Sequence, residues 1–212
     1  MPSLEQAREW YRGADAVHDF DHVLRVLALA ERIGEAEGAD LEIVRAAVLL
    51  HDAALGENDA TRARSGHHER SARFARQTLT AEGWQAARVE RVAECILAHR
   101  FRETTDVEKS LEAKVVYDAD KLDAIGAVGA ARAIAFAALH GNPFYREPSA
   151  RFRRGDGLEP GEVHSAHHEF EFKLARIPER LNTESAKALG RERLKVLREF
   201  FARLGEESQG RA

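Results

Sequence analysis

The chain is short of what other classes of protein are built from. A single cysteine, Cys95, excludes a disulfide framework and points to a reducing compartment. After Pro2 no proline occurs until Pro143, so residues 3–142 hold no ring that would break a helix. No stretch alternates apolar and polar residues as a half-buried strand does. No apolar run approaches the roughly 20 residues needed to span a bilayer. Basic residues are not in excess: 32 Lys and Arg against 36 Asp and Glu give a net charge of −4, unlike a dedicated nucleic-acid binder. The opening MPSLEQAREW lacks the basic-then-apolar pattern of a secretory signal.

What remains is rich in Ala, Leu, Arg and Glu, all good helix formers. The expectation is an all-α, cytoplasmic protein, a single domain over residues 1–212, with no nucleic-acid or membrane partner. Apolar spacing predicts helices over about 3–12, 18–36, 40–54, 66–80, 83–99 and 108–140, the last bending near Gly126 or Gly129. The region 18–140 forms the expected core, 141–162 an irregular, arginine-rich flap suited to covering a site, and 163–204 the C-terminal helices. Trp10, Tyr11 and Trp84 read as exposed aromatics that could seal a homodimer.

Four helices carry ionisable residues on apolar faces. His22 shares a face with Val26, Leu29 and Ile33; His51 follows Val44, Ala47 and Val48; His99 follows Val92, Cys95 and Ile96; Asp118 lies on the stripe of Leu111, Val115, Leu122 and Ile125. One buried histidine is ordinary. A buried aspartate loses several kcal/mol of hydration unless it is paired or metal-bound. Four such residues on converging helices suggest a metal site built in a bundle. The set His22, His51, Asp52 and Asp118 suits a divalent ion such as Mn²⁺, Fe²⁺, Co²⁺, Ni²⁺ or Zn²⁺ better than Mg²⁺ alone.

The order His22 … His51-Asp52 … Asp118, set in DHVLRV, AVLLHDAA and YDADKLDAIGAVGAARA, resembles the signature of the HD-domain metal-dependent phosphohydrolases. The segment SAHHEFEFKLARIPERLNTESAK extends the likeness over nearly the whole chain, to a subgroup of small stand-alone bacterial HD hydrolases of the YedJ and YpgQ type. The resemblance implies an α-helical bundle and His22, His51, Asp52 and Asp118 as metal ligands, with Asp52 nearest the reactive water. It implies hydrolysis of a small phosphorylated metabolite, most simply a nucleotide, by attack of metal-activated water on phosphorus; nucleoside triphosphate pyrophosphohydrolysis is one form. Two alternatives stay open: a nucleotide-sensing module without turnover, and a di-iron oxygenase. The chain departs from its relatives at Glu169 and Phe172, which bears on substrate preference.

Further residues join the site as expectations. His18, Arg25, His67, His99 and Arg100 are substrate contacts, and Lys121 is a catalytic charge within the signature. One ion is favoured over two, the second requiring His67 and His99. The dipeptide His18-Asp19 stands only a turn before His22 and is no second metal motif; Asp19 could equally cap a helix. Asp123 reads as a supporting acid, and His164, His167 and His168 as exposed.

Overall fold

The first three helices start where the sequence supplies caps. In the computed structural model, which describes residues 1–12, 19–54, 66–98 and 109–211, Ser3 and Gln6 form a capping box at α1 (Leu4–Trp10). Asp19 caps α2 (Phe20–Glu37) by accepting from the His22 backbone N–H, and Asp40 caps α3 (Leu41–Leu50) through the N–H groups of Glu42 and Ile43. Then follow α4 (His67–Ala81), α5 (Ala86–Ala98), α6 (Leu111–Asp123), α7 (Gly126–Leu139), α8 (Ala150–Arg153), α9 (Ala166–Phe172), a 3-10 helix at Leu174–Arg180, and α10 (Glu184–Ser208). The expected all-α class holds: every regular element among the described residues is helical. No single described helix is long and apolar enough to cross a membrane.

The chain divides into two compact units. The first comprises Met1–Asp120 and Asn182–Ala186. Its core is made by Val23, Val26 and Ile33 of α2, Ile43, Val44 and Val48 of α3, Leu79 of α4, Ile96 of α5 and Val115 of α6, all fully buried. Gly38 ends α2 in the left-handed region (φ 76°), which a side chain would resist, and so allows the direct turn into α3. Gly34 lets α3 approach closely: a Cβ there would stand 2.8 Å from Leu41 Cδ2.

The aromatics expected on the surface are instead drawn inward. Tyr11 is buried, with its hydroxyl donating to the Leu49 carbonyl at 3.2 Å, and Trp10 packs edge-on against Phe74. Trp84 is half-buried, with the Arg88 guanidinium over its ring.

Lys121–Leu181 and Lys187–Ala212 form the second unit. The long predicted helix is broken as expected: α6 ends at Asp123 and α7 begins at Gly126, where φ is 81°. Asp123 is buried and paired with Arg132 at 2.8 Å. The stretch expected as a flap carries the short α8 and is tied in place. Ser149 and Glu162 share two hydrogen bonds, Arg153 pairs with Glu147 and Glu171, and the N–H groups of Ala166 and His167 donate to the Pro143 and Phe144 carbonyls.

The histidines expected to be exposed here are not. His168 is fully buried, its Nδ1 bonded to Ser165 Oγ at 2.8 Å and its Nε2 to Glu162 at 3.0 Å. His167 is buried and stacks on Tyr145, and His164 is half-covered beside Phe152. The apolar partners of α9 come from residues distant in sequence, such as Phe201, whose ring stacks on Phe170 at 4.5 Å.

Candidate metal centre

The HD dipeptide lies just beyond the end of α3. His51 is the residue after Leu50, and its Nδ1 stands 2.7 Å from the Val48 carbonyl. A carbonyl only accepts, so Nδ1 carries the proton and Nε2 keeps its lone pair for a ligand. The next residue, Asp52, has its backbone N–H held by the Tyr11 hydroxyl at 3.3 Å. Tyr11 thus bridges Leu49 and Asp52 and fixes the turn that presents both side chains. Burial, reinforced by the Asp52 charge, raises the Tyr11 pKa well above its ordinary value, so the hydroxyl stays a neutral donor.

His22 enters from the first turn of α2, with its ring centroid 5.5 Å from that of His51. One ligand atom from each of His22, His51 and Asp52 lies within 4.8 Å of the others, and all three residues are buried. His51 Nε2 and Asp52 Oδ2 are 3.6 Å apart, too far for a good hydrogen bond. Two atoms bound to one ion at about 2.1 Å stand roughly 3–3.5 Å apart, so this spacing fits a shared cation. Two imidazoles and a carboxylate are also the right donors for a divalent transition ion.

His67 opens α4 and brings its Nε2 to 3.6 Å from Asp52 Oδ1. Arg25 lies one turn after His22, partly covered. Lys121 follows on α6 and belongs to the second unit. His18, His99 and Arg100 lie outside the described residues.

Asp118 departs from expectation. Its carboxylate is fully buried, but Oδ1 accepts from the Asn182 N–H at 2.9 Å and from Asn182 Nδ2 at 2.8 Å. Oδ2 accepts from the Thr183 N–H at 2.8 Å and from Thr183 Oγ1 at 2.7 Å. Hydrogen bonds, not a metal, meet the charge of this buried carboxylate. The α6 carboxylate beside the cluster is that of Asp120, whose Oδ1 is 3.6 Å from His22 Nε2. Residues two apart on a helix point to nearly opposite sides, so one of the pair faces His22 while the other faces Asn182 and Thr183. The acidic triplet in DADKLD was visible in the sequence; which member turns toward the histidines was not.

The pattern of the HD domain matches residues 19–125, just over half of the chain. The chain belongs to the HD domain family. Sequence similarity extends past the matched HD segment: YpgQ of Bacillus subtilis, an uncharacterized protein, is 35% identical over 99% of this chain and 96% of its own length. The crystal structure of YpgQ in complex with ADP superimposes with a TM-score of 0.74 at 32% identity, covering 99% of this chain and all of that one. A predicted HD superfamily hydrolase from an uncultured Thermotogales bacterium matches with a TM-score of 0.60 at 27% identity, covering 96% of this chain and 90% of its own.

Proposed function

We propose that this chain is a divalent-metal-dependent phosphohydrolase acting on a small phosphorylated metabolite, with a nucleotide as the first substrate class. The observation that carries the reading is the buried convergence of His22, His51 and Asp52 ligand atoms within 4.8 Å. That YpgQ, so similar over its whole length, was crystallised with ADP supports the nucleotide.

His22, His51 and Asp52 would hold the ion, with Asp120 as the fourth protein donor; Mn²⁺ is the favoured metal. When bound, such an ion polarises a phosphate oxygen and lowers the pKa of a water toward neutrality. The Val48 carbonyl keeps the His51 Nε2 lone pair aimed at the site, and Tyr11 holds the Asp52 backbone. His67 stands beside the Asp52 carboxylate, where its ring can donate to a substrate oxygen or to that carboxylate. Arg25, one turn after His22, offers positive charge for a phosphate. Asp52 would sit nearest the attacking water; attack at a terminal phosphorus would expel the shortened nucleotide and release phosphate, and attack at the α-phosphorus of a triphosphate would expel pyrophosphate.

The test is product release from a nucleotide panel by chelator-treated protein, with and without added Mn²⁺. Release of phosphate or pyrophosphate that needs the metal and is lost in Asp52→Ala, with helical content unchanged, is the expected result. The absence of turnover with every divalent ion in a protein that binds Mn²⁺ would sink the reading for nucleotides.

A further inference from the structure

The donors on Asp118 come from a short stretch of chain far away in sequence. Asn182 and Thr183 give it their backbone N–H groups and both side chains. Two residues on, Ser185 gives its N–H at 2.9 Å and its hydroxyl at 2.6 Å to Glu37, the last residue of α2. The segment Asn182–Ser185 is therefore bonded both to α6, which carries Asp120, and to α2, which carries His22. Asp118 and Asp120 are two residues apart, so fixing the Asp118 carboxylate fixes the rotation of α6 about its axis and with it the direction of Asp120.

We propose that Asn182 and Thr183, acting through Asp118, are positioning residues of the metal centre: they lock the face of α6 that presents Asp120 to His22. Asp118 is in this view the anchor of the helix and Asp120 the ligand. Resting on the metal-site reading above, the inference adds residues to it that touch neither ion nor substrate. The physical basis is geometric. A side chain that completes a coordination shell must be held within a few tenths of an ångström, and hydrogen bonds behind the ligands supply that constraint.

The experiment is a Mn²⁺ titration of the chelator-treated full chain, followed by electron paramagnetic resonance of the free ion, beside thermal unfolding of the metal-free protein. Thr183→Val keeps the shape and the backbone N–H but removes the hydroxyl donor; Thr183→Ser restores that donor. Asn182→Ala removes a second side-chain donor. Thr183→Val and Asn182→Ala are each expected to weaken Mn²⁺ binding about 10-fold or more, with Thr183→Ser within a few-fold of wild type. Asp120→Asn is expected to weaken it further than either.

Thr183→Val and Asn182→Ala proteins that melt earlier but bind Mn²⁺ as tightly as wild type overturn the positioning role and leave a structural one. Asp120→Asn binding as wild type while Asp118→Asn binds nothing overturns it as well, because Asp118 is then the ligand itself. A wild type that takes up none of Mn²⁺, Co²⁺ or Zn²⁺ overturns the metal-site reading, and the positioning with it. The two failures are told apart by the wild-type titration alone.

Discussion

Each unit of the chain gathers buried histidines and carboxylates, yet the two gatherings are chemically different. In the second unit His168 is saturated: Ser165 Oγ meets one ring nitrogen and Glu162 the other. Glu162 also accepts the N–H groups of Glu159 and Ser149, and these bonds together hold its carboxyl down to about 2. In the first unit His51 spends one nitrogen on the Val48 carbonyl and turns the other toward Asp52 at 3.6 Å, a separation suited to sharing an ion. Burial of histidine is common to both, so burial does not mark a metal site. The direction and spacing of the second nitrogen do.

Swapping in alanine should separate the two clusters. His51→Ala should weaken Mn²⁺ binding by on the order of 100-fold or more while circular dichroism keeps its helical form, since a donor to the ion is gone. His168→Ala should do the reverse. Losing a fully buried ring and its two hydrogen bonds should lower Tm by roughly 5–10 °C, with the Mn²⁺ affinity unchanged. If His168→Ala instead abolished metal binding, the contrast between the clusters would be broken.

The smallest expected effect sharpens the same contrast through pH. Burial lowers the His164 and His167 pKa values from the ordinary 6.5. The unfolded chain then takes up protons near that pH that the native state refuses, so stability falls as pH drops through about 6.5 and is regained above it. Thermal melts of metal-free protein between pH 8 and pH 5 should show this slope. His167→Phe, which keeps an aromatic stack on Tyr145 and Phe170, should flatten it.

Much of the fold was legible because it is written locally. Asp40 and Gly38 announce helix ends through their own side chain or lack of one, and Gly126 marks the break between α6 and α7. The cluster of His22, His51 and Asp52 was legible too, since helical spacing puts the two histidines on apolar faces and the resemblance to the HD signature joins Asp52 to them. The inward turn of Tyr11 was not, because its partners Leu49 and Asp52 lie about 40 residues on. Nor were the enclosed rings of His167 and His168, whose covering comes from Arg146, Glu162 and Phe201.

Asp118 shows where the limit lies. The sequence by itself determined the all-α class, the Asp40 cap of α3, the pair His51-Asp52 and the presence of three carboxylates around Lys121. It also put Asp118 on the buried stripe of α6, where the structure has it. What satisfies a buried charge depends on what packs against it, and that partner is Asn182 and Thr183, over 60 residues away in the chain. Periodicity fixes how side chains are arranged around a helix; only the tertiary structure decides which side meets the histidines.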